Sequence, residues 1–215
     1  MGEKVFKGKV KAKIVELRFA TSGKLANLFK KRGDFVKKGE LIASLDKKLL
    51  QIELDRQLGD YEKKRAEFEI FNLQKGEPQD DVTKYLKTIK QAELNVSVKE
   101  VELAKARLDQ ADLFSPVEGI IIDDSSLVAG IYITPASSPI KVLEVSSYYF
   151  EIAIDQTSLE KFLTPRAMKI KVAGLDKVFS GNSKQIVSSP DLKLRVEIEV
   201  KEVEGLIMGL EGEAY

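Results

Sequence analysis

The sequence contains no cysteine and no histidine among its 215 residues. The lack of cysteine excludes disulfides and thiol nucleophiles, and the lack of both residue types excludes zinc sites with the usual ligands. Histidine is also the side chain that most often transfers protons near neutral pH. An enzyme with this sequence would have to work without any of these groups.

An excess of one charge and long apolar runs are also missing. Lysine and arginine total 35 against 34 acidic residues, a net charge of +1, so a polyanionic partner such as nucleic acid is not expected. The apolar runs are far shorter than the roughly 20 residues that span a bilayer as a helix. Residues 1–4 do not form a signal peptide. We expect the chain as given to be soluble.

Paired carboxylates are the nearest approach to a catalytic or metal site. Asp80 with Asp81 and Asp123 with Asp124 are neighbours in sequence, and neighbouring side chains in a turn or strand point apart. We interpret the first pair as the negative charge at a helix N-terminus and the second as a hairpin turn. No nucleophile motif, phosphate loop or metal-ligand spacing occurs. The sequence therefore predicts a protein that is not an enzyme, with no catalytic residue, no cofactor and no metal.

A glycine-punctuated β segment occurs twice, in residues 22–46 and again in residues 115–145. Gly23 aligns with Gly119, and Gly33 aligns with Gly130. Each copy is too short to bury a core alone, so the two copies are expected to pack against each other as one small β domain.

Two helices are predicted between the copies. Asp46 can cap the first helix, which runs from Lys47 to about Leu73, and residues 75–78 (KGEP) end it. The second helix begins at Asp80 or Asp81 and continues to Ser115-Pro116. An apolar stripe at heptad spacing, with Lys99 as its one polar member, is predicted to face the first helix, and Val96 and Leu103 are expected to anchor it. The apolar members of this stripe are Val82, Tyr85, Ile89, Ala92, Val96, Leu103 and Ala106.

A second apolar stripe, Leu94, Val98, Val101 and Leu108, lies nearly opposite the first. A pair of helices cannot bury both stripes. Either the first helix wraps around and partly covers the second stripe, or these four residues make a lateral contact with another copy of the chain.

Short strands separated by turns follow the second β copy. Alternating residues predict strands over 148–154, 168–172, 177–187 and 192–200, with a short helix starting at Asp155 and a turn at Ser189-Pro190. This pattern indicates a compact antiparallel barrel or sandwich.

These segments resemble a known family in their order along the chain. SGKLANLFKKRGDFVKKGELIASLD and SPVEGIIIDDSSLVAG are similar to the two lipoyl halves of bacterial membrane fusion proteins, the HlyD-like periplasmic adaptors of tripartite pumps and ABC exporters. YYFEIAIDQTSLEKF is similar to the start of the family's β-barrel, and residues 206–212 (LIMGLEG) resemble its closing strand.

The resemblance implies an α+β, elongated multidomain fold. It has an antiparallel α-helical hairpin inserted in a split lipoyl-like β domain, followed by an antiparallel β-barrel. The predicted segments are an N-terminal stretch joining the barrel (1–13), the two lipoyl-like halves (14–46 and 112–146), the hairpin (47–111) and the barrel (147–215).

The resemblance also implies a function, namely a non-catalytic adaptor of an export or efflux pump. Its partners would be an inner-membrane transporter, either ABC or proton-driven, an exit component such as an outer-membrane channel, and further copies of itself in a ring, for example a hexamer. The protein would lie outside the cytoplasm, held at the inner membrane by a segment that this sequence does not include.

The predicted contact with the exit component is the hairpin tip. Adaptors that dock on an outer-membrane channel often carry an Arg, Leu, Ser pattern at the tip, whereas the tip here is NLQKGEPQDDVT, a difference that argues against such docking. The predicted partner-binding residues are Gln74, Lys75, Gly76, Glu77, Pro78, Gln79, Asp80 and Asp81.

Two other functions are alternatives to an adaptor. A coiled-coil scaffold without a transport role would explain the helices but not the split β repeat. A lipoyl or biotinyl carrier would present a lysine at the turn between the two halves, and Lys47 is the candidate. In a carrier the second half follows within a few residues, which is not the case here.

Overall fold

The computed structural model describes residues 5–77, 80–188 and 194–215. The side chains of Gln185, Val187 and Ser188 are not described. In the first part of the chain, the strands and helices are β1 (Phe6–Lys11), β2 (Ile14–Leu17), β3 (Gly23–Leu28), β4 (Phe35–Val36), β5 (Leu41–Leu45), α1 (Lys48–Lys75) and α2 (Asp81–Asp109). The remaining strands are β6 (Asp112–Phe114), β7 (Gly119–Asp123), β8 (Tyr132–Ile133), β9 (Ile140–Glu144), β10 (Tyr149–Ile154), β11 (Ala167–Val172), β12 (Val178–Ser188), β13 (Leu194–Val200) and β14 (Glu211–Ala214).

The two β copies form one small sandwich, which confirms the expectation from the repeat. One sheet has the order β2-β9-β7-β4 and the other the order β6-β5-β3-β8, so both sheets contain strands from both copies. Val36 pairs with Gly119 in the first sheet, and Gly23 pairs with Ile133 in the second. Apolar side chains from both copies, among them Leu25, Val36, Ile121 and Val142, are buried together in a single core.

Reciprocal hydrogen bonds between the copies show why the repeat contains glycine. The Gly33 amide donates to the carbonyl oxygen of Ile121 at 2.8 Å, and the Gly130 amide donates to that of Leu25 at 2.7 Å. Gly33 and Gly130 have φ angles of 96° and 97°, which glycine adopts without the steric cost that other residues meet. The aligned glycines therefore make equivalent turns, each of which reaches across to the other copy.

The two helices pack as an antiparallel hairpin between β5 and β6. Asp46 accepts a hydrogen bond from the Lys48 amide at 3.0 Å, although the residue at the N-cap position is Lys47. Helix α1 ends at Gly76, whose φ is 60°. Asp80 caps α2 by accepting from the Thr83 amide at 2.8 Å.

The face of α2 that contacts α1 differs from the predicted seam. The two buried residues of α2 are Ser97 and Ala104, whereas Val96 and Leu103 are 58% and 52% exposed. The prediction that Val96 and Leu103 anchor α2 to α1 is therefore wrong. Small side chains at the contact allow the two helices to approach closely, and the larger heptad residues Val96 and Leu103 stay more than half exposed.

The C-terminal strands form a closed barrel with β1, in the order β1-β10-β13-β12-β11-β14. The predicted short helix is the 3-10 helix Gln156–Phe162, and its Phe162 packs edge to face on Phe6 with ring centroids 5.2 Å apart. The closing strand was expected within residues 206–212, but β14 begins at Glu211, so Met208 lies before the strand. The predicted turn at Ser189-Pro190 and the first residues of the strand predicted from Leu192 lie outside the described residues.

Candidate functional site

The predicted tip residues occupy the link between the two helices. Gln74 and Lys75 end α1, Gly76 and Glu77 follow, and Asp80 and Asp81 begin α2, all of them exposed. Pro78 and Gln79 of the same prediction lie outside the described residues. The described tip residues thus present charged and polar groups at the far end of the hairpin from β5 and β6.

Asp80 has a structural role at this tip. Its carboxylate accepts hydrogen bonds from the amide and the hydroxyl of Thr83 at 2.8 and 3.0 Å. The Thr83 amide, followed by the Thr83 hydroxyl, holds the pKa of Asp80 below its usual value. The interpretation of Asp80 and Asp81 as the charge at a helix N-terminus is confirmed, because Asp81 lies in the first turn of α2.

Large apolar side chains beside the tip were not predicted as binding residues. Leu73 is 86% exposed, Val82 69%, Tyr85 67% and Ile70 52%. They lie in the last turns of α1 and the first turns of α2, next to the polar link. In the sequence, these residues could have been recognised as apolar residues within two helical turns of the polar link between the helices. At that end a single hairpin has no third helix to cover them.

A line of exposed apolar side chains continues from the tip along α2. We call Val82, Tyr85, Ile89, Val96 and Leu103 the α2 stripe; every member is more than half exposed. These residues were predicted to be the seam with α1. They are instead exposed along the length of α2.

The four residues predicted for the lateral contact lie elsewhere on α2. Leu94, Val98, Val101 and Leu108 are half-buried, and Leu94, Val101 and Leu108 lie three or four residues from buried Ser97 or Ala104, on the face toward α1. Partial cover by α1 was the other interpretation of this stripe. A lateral contact between copies stays a prediction, but these four residues offer less free apolar surface than the α2 stripe.

Ion pairs between α1 and α2 fix the alignment of the hairpin. Lys64 is 3.5 Å from Glu93, and Lys90 is 3.5 Å from Glu67. The hydrogen bond between Lys90 and Glu93 is the main cause that raises the pKa of Lys90 and lowers that of Glu93. Because these charges are partly exposed, the ion pairs add little stability. Their main effect is to determine which residues of α1 lie beside which residues of α2.

Charged groups on α1 also interact along the helix. Arg56 donates two hydrogen bonds to the Glu53 carboxylate, at 2.8 and 3.1 Å. These bonds, with a further one from Gln57, lower the pKa of Glu53 to about 2.

Lys47, the candidate lysine of a carrier, lies at the base of the hairpin. Its ammonium group is 2.6 Å from the Asp112 carboxylate, in an ion pair that joins the start of α1 to the strand after α2. The lysine therefore ties the two ends of the hairpin insertion together rather than standing free at the end of a turn.

Asp123 ends β7 and Asp124 precedes a turn at Ser125 and Ser126, but this is not the predicted hairpin turn, because the next strand, β8, pairs with β3 in the other sheet. Asp123 and Asp124 accept hydrogen bonds from the amides of Ser125 and Ser126 at 2.8 and 3.0 Å, and Asp124 also accepts from the Arg32 amide at 3.2 Å. Within residues 5–77, 80–188 and 194–215, no three acidic side chains converge in a way that could hold a metal ion.

Among the described residues, neither helix has the length and apolar content that a membrane span requires.

No family model and no curated protein matches the sequence, but solved structures match its fold. The membrane fusion protein Spr0693 from Streptococcus pneumoniae R6 is 16% identical, over 99% of this chain and 98% of its own, with a TM-score of 0.81. A MacA-MexA chimeric protein with the Pseudomonas aeruginosa MexA α-hairpin is 18% identical, over 98% of this chain and 80% of its own, with a TM-score of 0.81.

A third similar structure is a putative efflux transporter from Bacteroides eggerthii, 19% identical over 98% of this chain and 67% of its own, with a TM-score of 0.76. The chain therefore has the fold of membrane fusion proteins, with the hairpin, sandwich and barrel in the predicted order.

Proposed function

We propose that this protein is a non-catalytic adaptor subunit of a bacterial export pump. It would link an inner-membrane transporter, ABC or proton-driven, to the exit path through a ring of copies. The observation that most supports the adaptor proposal is that the hairpin projects from a sandwich in which strands of both β copies are combined. An adaptor needs a small rigid body with one long projection. The similar structures include a membrane fusion protein and a putative efflux transporter.

The proposal gives the two ends of the molecule different partners. The hairpin tip, including Gln74 to Glu77, Asp80, Asp81 and the exposed Leu73 and Val82, would contact the next component of the exit path. The barrel would contact the transporter. We place the protein outside the cytoplasm, held at the inner membrane, because an adaptor between a membrane transporter and an exit component must stand in that space.

Co-purification with a transporter tests the proposal. The chain would be expressed with the permease or ATP-binding cassette subunits encoded beside its gene, and complexes would be isolated in mild detergent. We expect a stable complex, and we expect Leu73→Asp with Val82→Asp to keep the transporter bound while export fails. If the transporter does not bind and exports its substrate equally well without this chain, a scaffold without a transport role is the better assignment.

A further inference from the structure

The chain passes between the sandwich and the barrel twice. Residues 12 and 13 connect β1 to β2, and residues 145–148 connect β9 to β10. Among the described residues, the buried core of the sandwich and that of the barrel share no member. The orientation of the barrel relative to the sandwich therefore depends mainly on these two connections and on the bonds that hold them together.

The two connections differ in length. They join the strand pair β1–β10 of the barrel to the strand pair β2–β9 of the sandwich, and both pairs are antiparallel. The longer connection folds into the 3-10 helix Val145–Ser147. The regular ladder of backbone hydrogen bonds is therefore interrupted at the junction between the two bodies.

A side chain bridges this interruption. The Ser147 hydroxyl accepts a hydrogen bond from the Lys13 amide at 2.8 Å and donates one to the Glu144 carbonyl oxygen at 2.8 Å. The Glu144 amide donates to the Lys13 carbonyl oxygen at 3.0 Å, which extends the β2–β9 ladder of the sandwich. The hydroxyl thus uses both its donor and its acceptor capacity to join the end of this ladder to the segment that enters the barrel.

A second bond at the junction is longer. The Val145 amide donates to the Glu118 carbonyl oxygen at 3.3 Å, slightly beyond the usual range for such bonds. Because Val145 begins the 3-10 helix, this bond fixes the start of the connection and not its entry into β10. The Ser146 hydroxyl lies 3.4 Å from the Glu144 side chain, and Ser146 is exposed.

We propose that the Ser147 hydroxyl is a latch that sets the angle between the sandwich and the barrel. Without this hydroxyl, the two connections act as a hinge. The hairpin amplifies any rotation, because a helix of 28 residues is about 40 Å long. A rotation of about 10° therefore displaces the tip by roughly 7 Å relative to the barrel. That the tip must point at an exit component rests on the proposed adaptor function, whereas the latch does not.

Loss of the hydroxyl should change orientation rather than stability. Lys13 is exposed, so water can replace Ser147 as the hydrogen-bond partner of its amide. Ser147 belongs to neither buried core. The variant Ser147→Ala is therefore expected to stay folded.

Distances between spin labels in the two bodies test the latch. Because the sequence has no cysteine, labels would be attached at Lys38→Cys in the sandwich and Lys169→Cys in the barrel, both at exposed positions. Pulsed electron paramagnetic resonance on the full chain gives the distribution of distances between the labels. We expect a narrow distribution when Ser147 is present and one at least about twofold broader in Ser147→Ala.

Three controls accompany this measurement. Ser146→Ala removes the neighbouring hydroxyl and should leave the distribution unchanged. Ser147→Thr keeps a hydroxyl at the junction and should preserve the narrow distribution. A label pair within the sandwich, at Lys24→Cys and Lys38→Cys, should keep its width in every variant.

Other outcomes would overturn the latch. They are an unchanged distribution in Ser147→Ala and an equal broadening in Ser146→Ala. Broadening of the pair within the sandwich would also overturn it, because the hydroxyl would then stabilise the sandwich rather than set its orientation. Each of these results leaves the adaptor function standing, since co-purification with a transporter measures that function separately.

Discussion

The aligned glycines Gly23 and Gly119, one in each β copy, have different surroundings. A Cβ atom on Gly119 would overlap the backbone carbonyl of Leu143, because β7 lies against β9 at that point. A Cβ atom on Gly23 would meet only the Leu45 side chain, at 3.1 Å from Cδ1. A backbone carbonyl in a sheet cannot move aside, whereas the end of a leucine side chain can.

The first prediction is that Gly119→Ala destabilises the sandwich by about 3 kcal/mol, because the new methyl group forces β7 away from β9. Denaturant unfolding followed by circular dichroism measures this loss. Gly23→Ala is the matched control and should cost less than about 1 kcal/mol. Equal losses for both variants would contradict the explanation based on the Leu143 carbonyl.

Interactions between near neighbours could be predicted at the level of single residues. Asp80 and Thr83 are three residues apart, so the local sequence determines their hydrogen bond. The bond from the Arg32 amide to Asp124 joins residues far apart in sequence. It depends on how β4 and β7 come together, and no local pattern carries that information.

The hairpin shows why the type of an element is easier to predict than the face it buries. The α2 stripe and the second apolar stripe, which begins at Leu94, both have the spacing of a buried helix face, and heptad spacing favoured the first. The structure buries Ser97 and Ala104 instead. Small residues allow close approach of two helices, so they contribute to packing although they rank low in hydrophobicity.

The packing of the hairpin gives a second prediction. Ala104→Leu should destabilise the protein by about 2 kcal/mol, since Ala104 is 4% exposed and a larger side chain has no room against α1. Ala106→Leu is the control on the same helix, because Ala106 is exposed, and it should change stability by no more than about 0.5 kcal/mol.

Urea unfolding at low protein concentration would measure both α2 variants on the monomer. If Ala106→Leu is the more destabilising of the two variants, the predicted seam contacts α1, and the burial of Ala104 against α1 is contradicted.

The nested arrangement of the whole molecule followed from the sequence repeat. Two halves that cannot fold alone must meet, so whatever lies between them projects as an insertion. The order of the barrel strands could not be obtained in this way. Strand β1 pairs with both β10 and β14, which come from distant parts of the chain, and alternation within a strand does not identify its neighbours. That the predicted segments behave as separate domains stays a prediction.

The base of the hairpin shows how the insertion is tolerated. The Leu45 amide donates to the Ala111 carbonyl oxygen at 2.8 Å, and Lys47 pairs with Asp112. The chain therefore leaves and re-enters the sandwich at adjacent points. Leu50 of α1 packs against the sandwich core.

The last prediction is that the sandwich and barrel fold without the hairpin. Residues 48–109 would be replaced by a short glycine-serine link of about four residues, because the strands on either side already lie next to each other. We expect cooperative thermal unfolding and unchanged amide NMR positions for Val36, Ile121 and Val142, with a modest loss of stability from the missing Leu50 contact.

A deletion extended to residue 118 removes β6 and should abolish folding. If the shorter deletion also yields an unfolded protein, the hairpin is required for the two β halves to meet, and the sandwich is not an independent folding unit.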